Sequence, residues 1–217
     1  DRETGEERWR TMRENKTRSY VTPIIRDIGE RTQMILSGSK CVASYDPRTG
    51  DRHWILDGPT EQFVASMVYN GKYAFVTGGY PERHILAIDP GGKGKVSDPH
   101  IAWRTFRGAA YVPSPITNGK FLLVVDDGGV ATCFDAESGE RQWRERLAGA
   151  QSSSPVLADG MVYCVSERGE ATLFRLGEAF EIVASNALGE PVSASPAISQ
   201  GQIFIRTHHA LYCIGRK

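Results

Sequence analysis

Asp126-Asp127 is the adjacent carboxylate pair in this sequence that most invites chemistry, since two acidic groups together could serve a cofactor site. The pair falls, however, where a hairpin turn is expected, and Asp is favoured there for local hydrogen-bonding reasons. Gly91-Gly-Lys-Gly-Lys95 has the colouring of a phosphate loop. Val96 stands where Ser or Thr should follow the lysine, and no helix comes after it, so the stretch reads as an insertion. His208-His209 could ligate a metal, but they fall in a turn, and neighbours on a strand point to opposite faces. Asn15-Lys-Thr17 matches a short glycosylation pattern of low specificity. Cys41, Cys133, Cys164 and Cys213 lie far apart, with no close pair of the kind that metal or redox centres use. They read as reduced, buried packing residues. No Ser/His/Asp or Cys/His arrangement is suggested, so no catalytic, cofactor-binding or metal-ligating residue is expected.

The bulk properties fit that reading. The 217 residues are 40% hydrophobic, enough for a buried core, and 26 basic residues balance 26 acidic ones. A neutral chain has no general attraction for nucleic acid or anionic lipid. The longest purely apolar run, Phe121 to Val125, is far too short to span a bilayer. No signal peptide is present, and the chain opens on Asp1 without an initiator Met, which suggests a processed or truncated piece of a longer protein.

Self-similarity organises everything else. Asp1-Arg-Glu-Thr-Gly5 leads to Trp9, Asp46-Pro-Arg-Thr-Gly50 to Trp54, and Asp135-Ala-Glu-Ser-Gly139 to Trp143. A fourth copy starts at Asp89 and reaches Trp103 through an inserted stretch, Gly91 to His100. The tryptophans are 45, 49 and 40 residues apart, the period of a four-stranded propeller blade. In each copy Asp starts a turn by accepting from backbone amides, and Gly closes it in the left-handed conformation. The Trp then offers its apolar face to the neighbouring blade while its N–H finds a carbonyl.

A second marker runs in phase: Pro23, Pro115, Pro155 and Pro196, with Met67 in the remaining unit. Proline lacks a donor and belongs at a strand start or an unpaired edge, which the innermost strand of a blade provides. Asn70-Gly71, Asn118-Gly119 and Asp159-Gly160 mark type I′ hairpins between alternating apolar runs. The expected fold is all-β: a propeller of four-stranded antiparallel blades, about five in this chain. The blades cover approximately 17–57, 60–107, 110–148, 151–188 and 191–214, the last completed by 1–11. Pairing of the Trp9 strand with Leu211 to Ile214 would close a five-bladed ring; otherwise the chain is part of a larger ring.

These features resemble the pyrroloquinoline-quinone-like propeller family, in which this Trp-docking motif joins blades; the resemblance implies eight of them in a full ring. The fifth unit departs from the pattern: Arg175 replaces the Asp, and Val183 stands near the Trp position. The family includes quinone-dependent dehydrogenases, BamB-like envelope scaffolds and sensor domains of signalling proteins. The resemblance implies that a dehydrogenase would carry a calcium–quinone site and often a vicinal disulfide; no two cysteines here are adjacent. A non-catalytic scaffold of the periplasm or cell envelope, with no cofactor, is therefore the expectation, ahead of a dehydrogenase fragment or a sensor domain. In a propeller the interblade loops and the second-to-third-strand loops share one face. That places Arg10, Arg13, Arg18, Tyr20, Arg104, Phe106, Arg107 and Tyr111 with Tyr80, Arg83, His84, Arg168, Arg206 and His208 as a protein- or peptide-binding face.

Overall fold

Short apolar runs separated by glycine-bearing turns fold here into a succession of antiparallel hairpins, seen in a computed structural model that describes residues 1–13, 19–38, 40–58 and 60–215. The first sheet holds β1 (Ile24–Ile28), β2 (Arg31–Gly38), β3 (Cys41–Tyr45) and β4 (Arg52–Asp57) in sequence order. The second holds β5 (Val68–Tyr69), β6 (Ala74–Gly78) and β7 (His84–Ile88). Its insertion supplies β8 (Gly94–Val96), which joins the first sheet beside β4, and its own outer strand is β9 (Ile101–Thr105). The third runs β10 (Ile116–Thr117), β11 (Phe121–Val125), β12 (Val130–Asp135) and β13 (Arg141–Arg146). The fourth runs β14 (Val156–Ala158), β15 (Met161–Val165), β16 (Glu170–Arg175) and β17 (Ile182–Ala187). The last has three strands, β18 (Ala197–Ser199), β19 (Gln202–Arg206) and β20 (Leu211–Ile214). This is an all-β propeller architecture of repeated blades.

Middle strands such as β6, β7 and β11 are buried at every position, because the second and third sheets are covered on both faces by their neighbours. The core accordingly lies between blades: Ile35, Val42, Trp54 and Leu56 meet Phe63, Met67, Val76 and Ile88 across the first interface. Leu123, Cys133 and Trp143 meet Val162, Cys164 and Phe174 across the third.

The inner strands are tied by a feature whose residues recur in the sequence just before each proline. Thr22 N–H donates to Ser66 Oγ at 3.1 Å, Ser66 N–H to Ser114 Oγ at 2.9 Å, Ser114 N–H to Ser154 Oγ at 2.9 Å and Ser154 N–H to Ser195 Oγ at 2.8 Å. Each serine thus satisfies an amide of the preceding blade, which a strand-edge position otherwise leaves unpaired. Ile24, Met67, Val68, Ile116 and Val156 line the central cavity beside this ladder, about 360 Å³ in volume.

Three expectations need correction. Asp159-Gly160 has positive φ at both residues, as a type I′ turn requires, but at Asn70-Gly71 and Asn118-Gly119 only the glycine does. There the asparagine side chain closes a longer turn instead, Asn70 Oδ1 accepting from Lys72 and Tyr73 and Asn118 Oδ1 from Phe121. Residues 1–11 form no strand and do not complete the last blade; among the described residues β20 pairs only with β19. They lie instead on the first blade, where the Trp9 indole N–H donates to Pro47 O at 3.0 Å and Thr11 Oγ1 to Gly50 O at 2.7 Å. A docking Trp is bound by the Asp-to-Gly corner of the blade that follows it, and that corner holds this segment. Leu211, Cys213 and Ile214 on the uncovered outer strand are therefore exposed, whereas Cys41, Cys133 and Cys164 are buried as reduced thiols. Burial pushes the Cys133 and Cys164 thiols up to about 12.

Candidate functional site

The repeated corner is built the same way at three places. Asp1 Oδ1 accepts from the amides of Glu3 and Thr4, Asp46 Oδ1 from Arg48 and Thr49, and Asp135 Oδ1 from Glu137 and Ser138. Gly5, Gly50 and Gly139 follow with φ near +75°. A Cβ at Gly139 would lie 2.5 Å from the Trp103 ring, so only glycine admits the docked indole. Trp103 Nε1 donates to Ala136 O at 3.1 Å and Trp143 Nε1 to Gly177 O at 2.8 Å.

Strand register makes the repeat stricter than the sequence shows. A β-bulge precedes each docking position, which pairs Ser44 with Trp54, Ala87 with Trp103 and Cys133 with Trp143. The same bulge in the fourth blade pairs Leu173 with Ala184, so Ala184, not Val183, occupies the Trp place. Where the large residue is lost, the facing small residue has become large. Trp54 departs in another way. Its N–H donates to Gln33 Oε1 at 2.8 Å, and Gln33 Nε2 donates to Pro90 O at 3.0 Å, so the dock at the Asp89 corner is reached through a buried glutamine. The insertion adds β8 in parallel to β4 over this site.

Loops on one side of the blades are stitched to one another. Tyr20 N–H donates to Phe63 O, Glu61 N–H to Tyr80 O, Gln151 N–H to Asp127 O, Val192 N–H to Glu167 O and His208 N–H to Pro191 O. The Asp126-Asp127 pair is committed here: Asp126 Oδ1 accepts from Val130, while Asp127 accepts from Tyr111 and Val112 and pairs with Arg83 at 3.3 Å. Arg83 also lies over the Tyr111 ring, 6.0 Å from its centroid. Tyr20, Tyr80 and Phe106 are 57%, 58% and 63% exposed; Arg107, Arg168 and His208 are exposed on loops, and Arg206 is exposed at the end of β19.

Other members of the expected face are placed differently. Arg10 is exposed but paired with Glu7. Arg13 is half-buried and donates to Gly38 O at 2.6 Å, since the docked N-terminal segment carries it onto the first blade. Arg104 lies on outer strand β9, held by Asp98 of the insertion at 2.7 Å. Arg18 and the Asn15–Thr17 pattern lie outside the described residues. His84 is not on the surface at all: it is fully buried, edge-on to Phe63 at 5.7 Å, with no partner for Nε2 among the described residues. Strand β7 begins at His84, so the residue belongs to the sheet and not to the loop.

Burial lowers the His84 imidazole to about 4, with the nearby Glu82 carbonyl opposing the shift. Since the unfolded chain binds this proton first, His84 lets stability stand in full above about pH 6.5 and drains it as pH falls toward 4. His84→Phe, which keeps the ring packing, is expected to lose less stability between pH 7 and pH 5 than wild type, by on the order of 1–2 kcal/mol. Urea titrations of both proteins at the two pH values measure this, and parallel losses would show that His84 is not the group responsible.

Among the described residues no three His, Cys, Asp or Glu side chains converge as a metal site would require, and no helix is long and apolar enough to cross a membrane. Stacked four-stranded blades joined by Trp docks and serine bonds define a pyrroloquinoline-quinone-like β-propeller. Within that class the chain belongs to the family described as outer membrane protein assembly factor BamB, which matches residues 38–179. Its fold is similar to that of BamB from Moraxella catarrhalis, with a TM-score of 0.70 at 17% identity over 96% of this chain. The chain spans about three-fifths of that protein, 61% of its length. Comparison with curated proteins found no match.

Proposed function

We propose that the chain is a non-catalytic scaffold module that binds a protein or peptide through its stitched loop face, in the periplasm or cell envelope. The observation that carries this is the exposure of Tyr20, Tyr80 and Phe106 on loops, with Arg83 on the Tyr80 loop, Arg168 on the loop between β15 and β16, and Arg206 at the end of β19. Aromatic and arginine side chains supply most of the energy at protein interfaces. Loops fixed by backbone hydrogen bonds present them with little ordering cost on binding. The family's description as an outer-membrane assembly factor supports both the partner class and the compartment. Asp126 and Asp127 are spent on loop amides, which favours this reading over a quinone-dependent dehydrogenase fragment.

A photo-crosslinking residue placed at Tyr80 tests the face, with Asp159, on a turn at the opposite end of the strands, as the comparison. Discrete crosslinked partners from the Tyr80 position, absent from the Asp159 position, are expected. Equal yield of the same products from both would sink the face.

A further inference from the structure

Between the second and third blades the outer wall opens into a cleft of about 560 Å³, lined by Thr105, Arg107, Gly108, Thr132, Phe134, Gly139, Arg141 and Arg144. Three of these residues are arginines, and among the described residues no acidic one lines the cleft. Arg141 and Arg144 come from β13 and Arg107 from the loop that leaves β9, so the charges converge from two blades. Trp143 points into the interface with the fourth blade, and the alternation of the strand turns Arg144 the other way.

The floor is polar where a propeller interface needs nothing polar. Thr132 is buried, and its hydroxyl lies beneath Gly108 with no hydrogen-bond partner among the described residues. It pairs across the ladder with Arg144; the same places hold Ala43 with Ile55 in the first blade, Leu86 with Arg104 in the second and Thr172 with Ser185 in the fourth, so apolar residues serve there as well as threonine. The repeat therefore does not demand this threonine. A buried hydroxyl left without a partner costs about 1–3 kcal/mol, a cost that a bound acceptor relieves. Like charges gathered in one cleft repel one another until an anion neutralises them.

We propose that this cleft binds an acidic segment of polypeptide, one carboxylate reaching Thr132 and the flanking carboxylates engaging Arg107, Arg141 and Arg144. Planar guanidinium groups match carboxylates in paired hydrogen bonds, and three of them spread over two blades suit several acidic side chains in succession. The volume is many times that of a single oxyanion, and the Phe134 ring supplies an apolar wall for side-chain methylenes. The assignment rests on the scaffold reading in taking the ligand to be a polypeptide.

The test is fluorescence anisotropy of the full chain with a capped, labelled peptide of alternating Glu and Asp, set against its Gln/Asn counterpart. Saturable binding of the acidic peptide alone is expected. Arg107→Gln or Arg144→Gln should weaken it about tenfold, Thr132→Val several-fold, and Arg48→Gln, an exposed arginine on the first blade, not at all. Circular dichroism reports folding; if Thr132→Val misfolds, the two exposed arginines carry the test. Absence of saturable binding, or equal weakening by Arg48→Gln, overturns the proposal. Full displacement of the peptide by micromolar inorganic phosphate would assign the cleft to a free oxyanion and overturn it as well. The Tyr80 crosslinks report on the loop face separately, so failure of either assignment leaves the other readable.

Discussion

Trp143→Ala is expected to lower stability by about 3–5 kcal/mol, the usual cost of truncating a buried aromatic side chain. The indole is 8% exposed and sits edge-on to Phe174, with centroids 5.9 Å apart, and 5.1 Å from the Phe180 ring. Its removal opens a cavity between the third and fourth blades and leaves Gly177 O with only the weak Cys133 thiol donor at 3.7 Å among the described residues. Cys133, the small residue paired across the strands from it, is too short to fill the space. The fourth blade shows what compensation takes: its Ala184 is faced by Leu173. Cys133→Leu should therefore recover part of the loss in the Trp143→Ala background, while destabilising the parent by overpacking. Urea and thermal denaturation followed by circular dichroism measure both effects. A Trp143→Ala midpoint equal to that of the parent would mean that the dock contributes nothing to cohesion between blades.

Gln33→Leu is expected to cost about 2–4 kcal/mol, although it replaces a polar residue by an apolar one of similar size. Gln33 is fully buried at the junction of three partners. Its Oε1 accepts from Trp54 Nε1 and from Ser44 Oγ, the latter at 2.7 Å, and its Nε2 donates to Pro90 O. Leucine satisfies none of them, and the loss grows with every buried polar group left unpaired. Gln33→Glu separates the two sides of the relay: it keeps both acceptor bonds, loses the donor to Pro90 O and buries a charge at neutral pH. It should be the more damaging variant at pH 7 and should recover toward Gln33→Leu as the pH is lowered and the carboxyl takes up a proton. Melting temperatures across that range check the order. A Gln33→Leu protein as stable as its parent would show that the insertion holds Trp54 by shape alone.

The sequence by itself determined the blade. Asp-x-x-Thr/Ser-Gly corners, the Trp that follows and the proline before each inner strand are local devices, set by turn hydrogen bonding, left-handed glycine and the missing proline donor. Local physics repeats wherever the residues repeat, so period, strand order and the docking of Trp103 and Trp143 were legible. The inner serine ladder was not legible: a serine precedes Pro115, Pro155, Pro196 and Met67, but the amide each one accepts from belongs to the neighbouring blade. What the tertiary structure decided involves residues distant in the chain. Whether His84 is loop or strand depends on where β7 begins, and one residue separates a surface histidine from a buried one. Residues 1–11 could have completed the last blade or docked on the first; the Asp46–Gly50 corner, with Pro47 O and Gly50 O as acceptors, decided for the first. Gln33 carries no motif, yet it relays the dock between Trp54 Nε1 and Pro90 O. The cleft of Arg107, Arg141, Arg144 and Thr132 gathers residues from two blades, which no spacing announces, because only the packing of one sheet on the next brings them to a common wall.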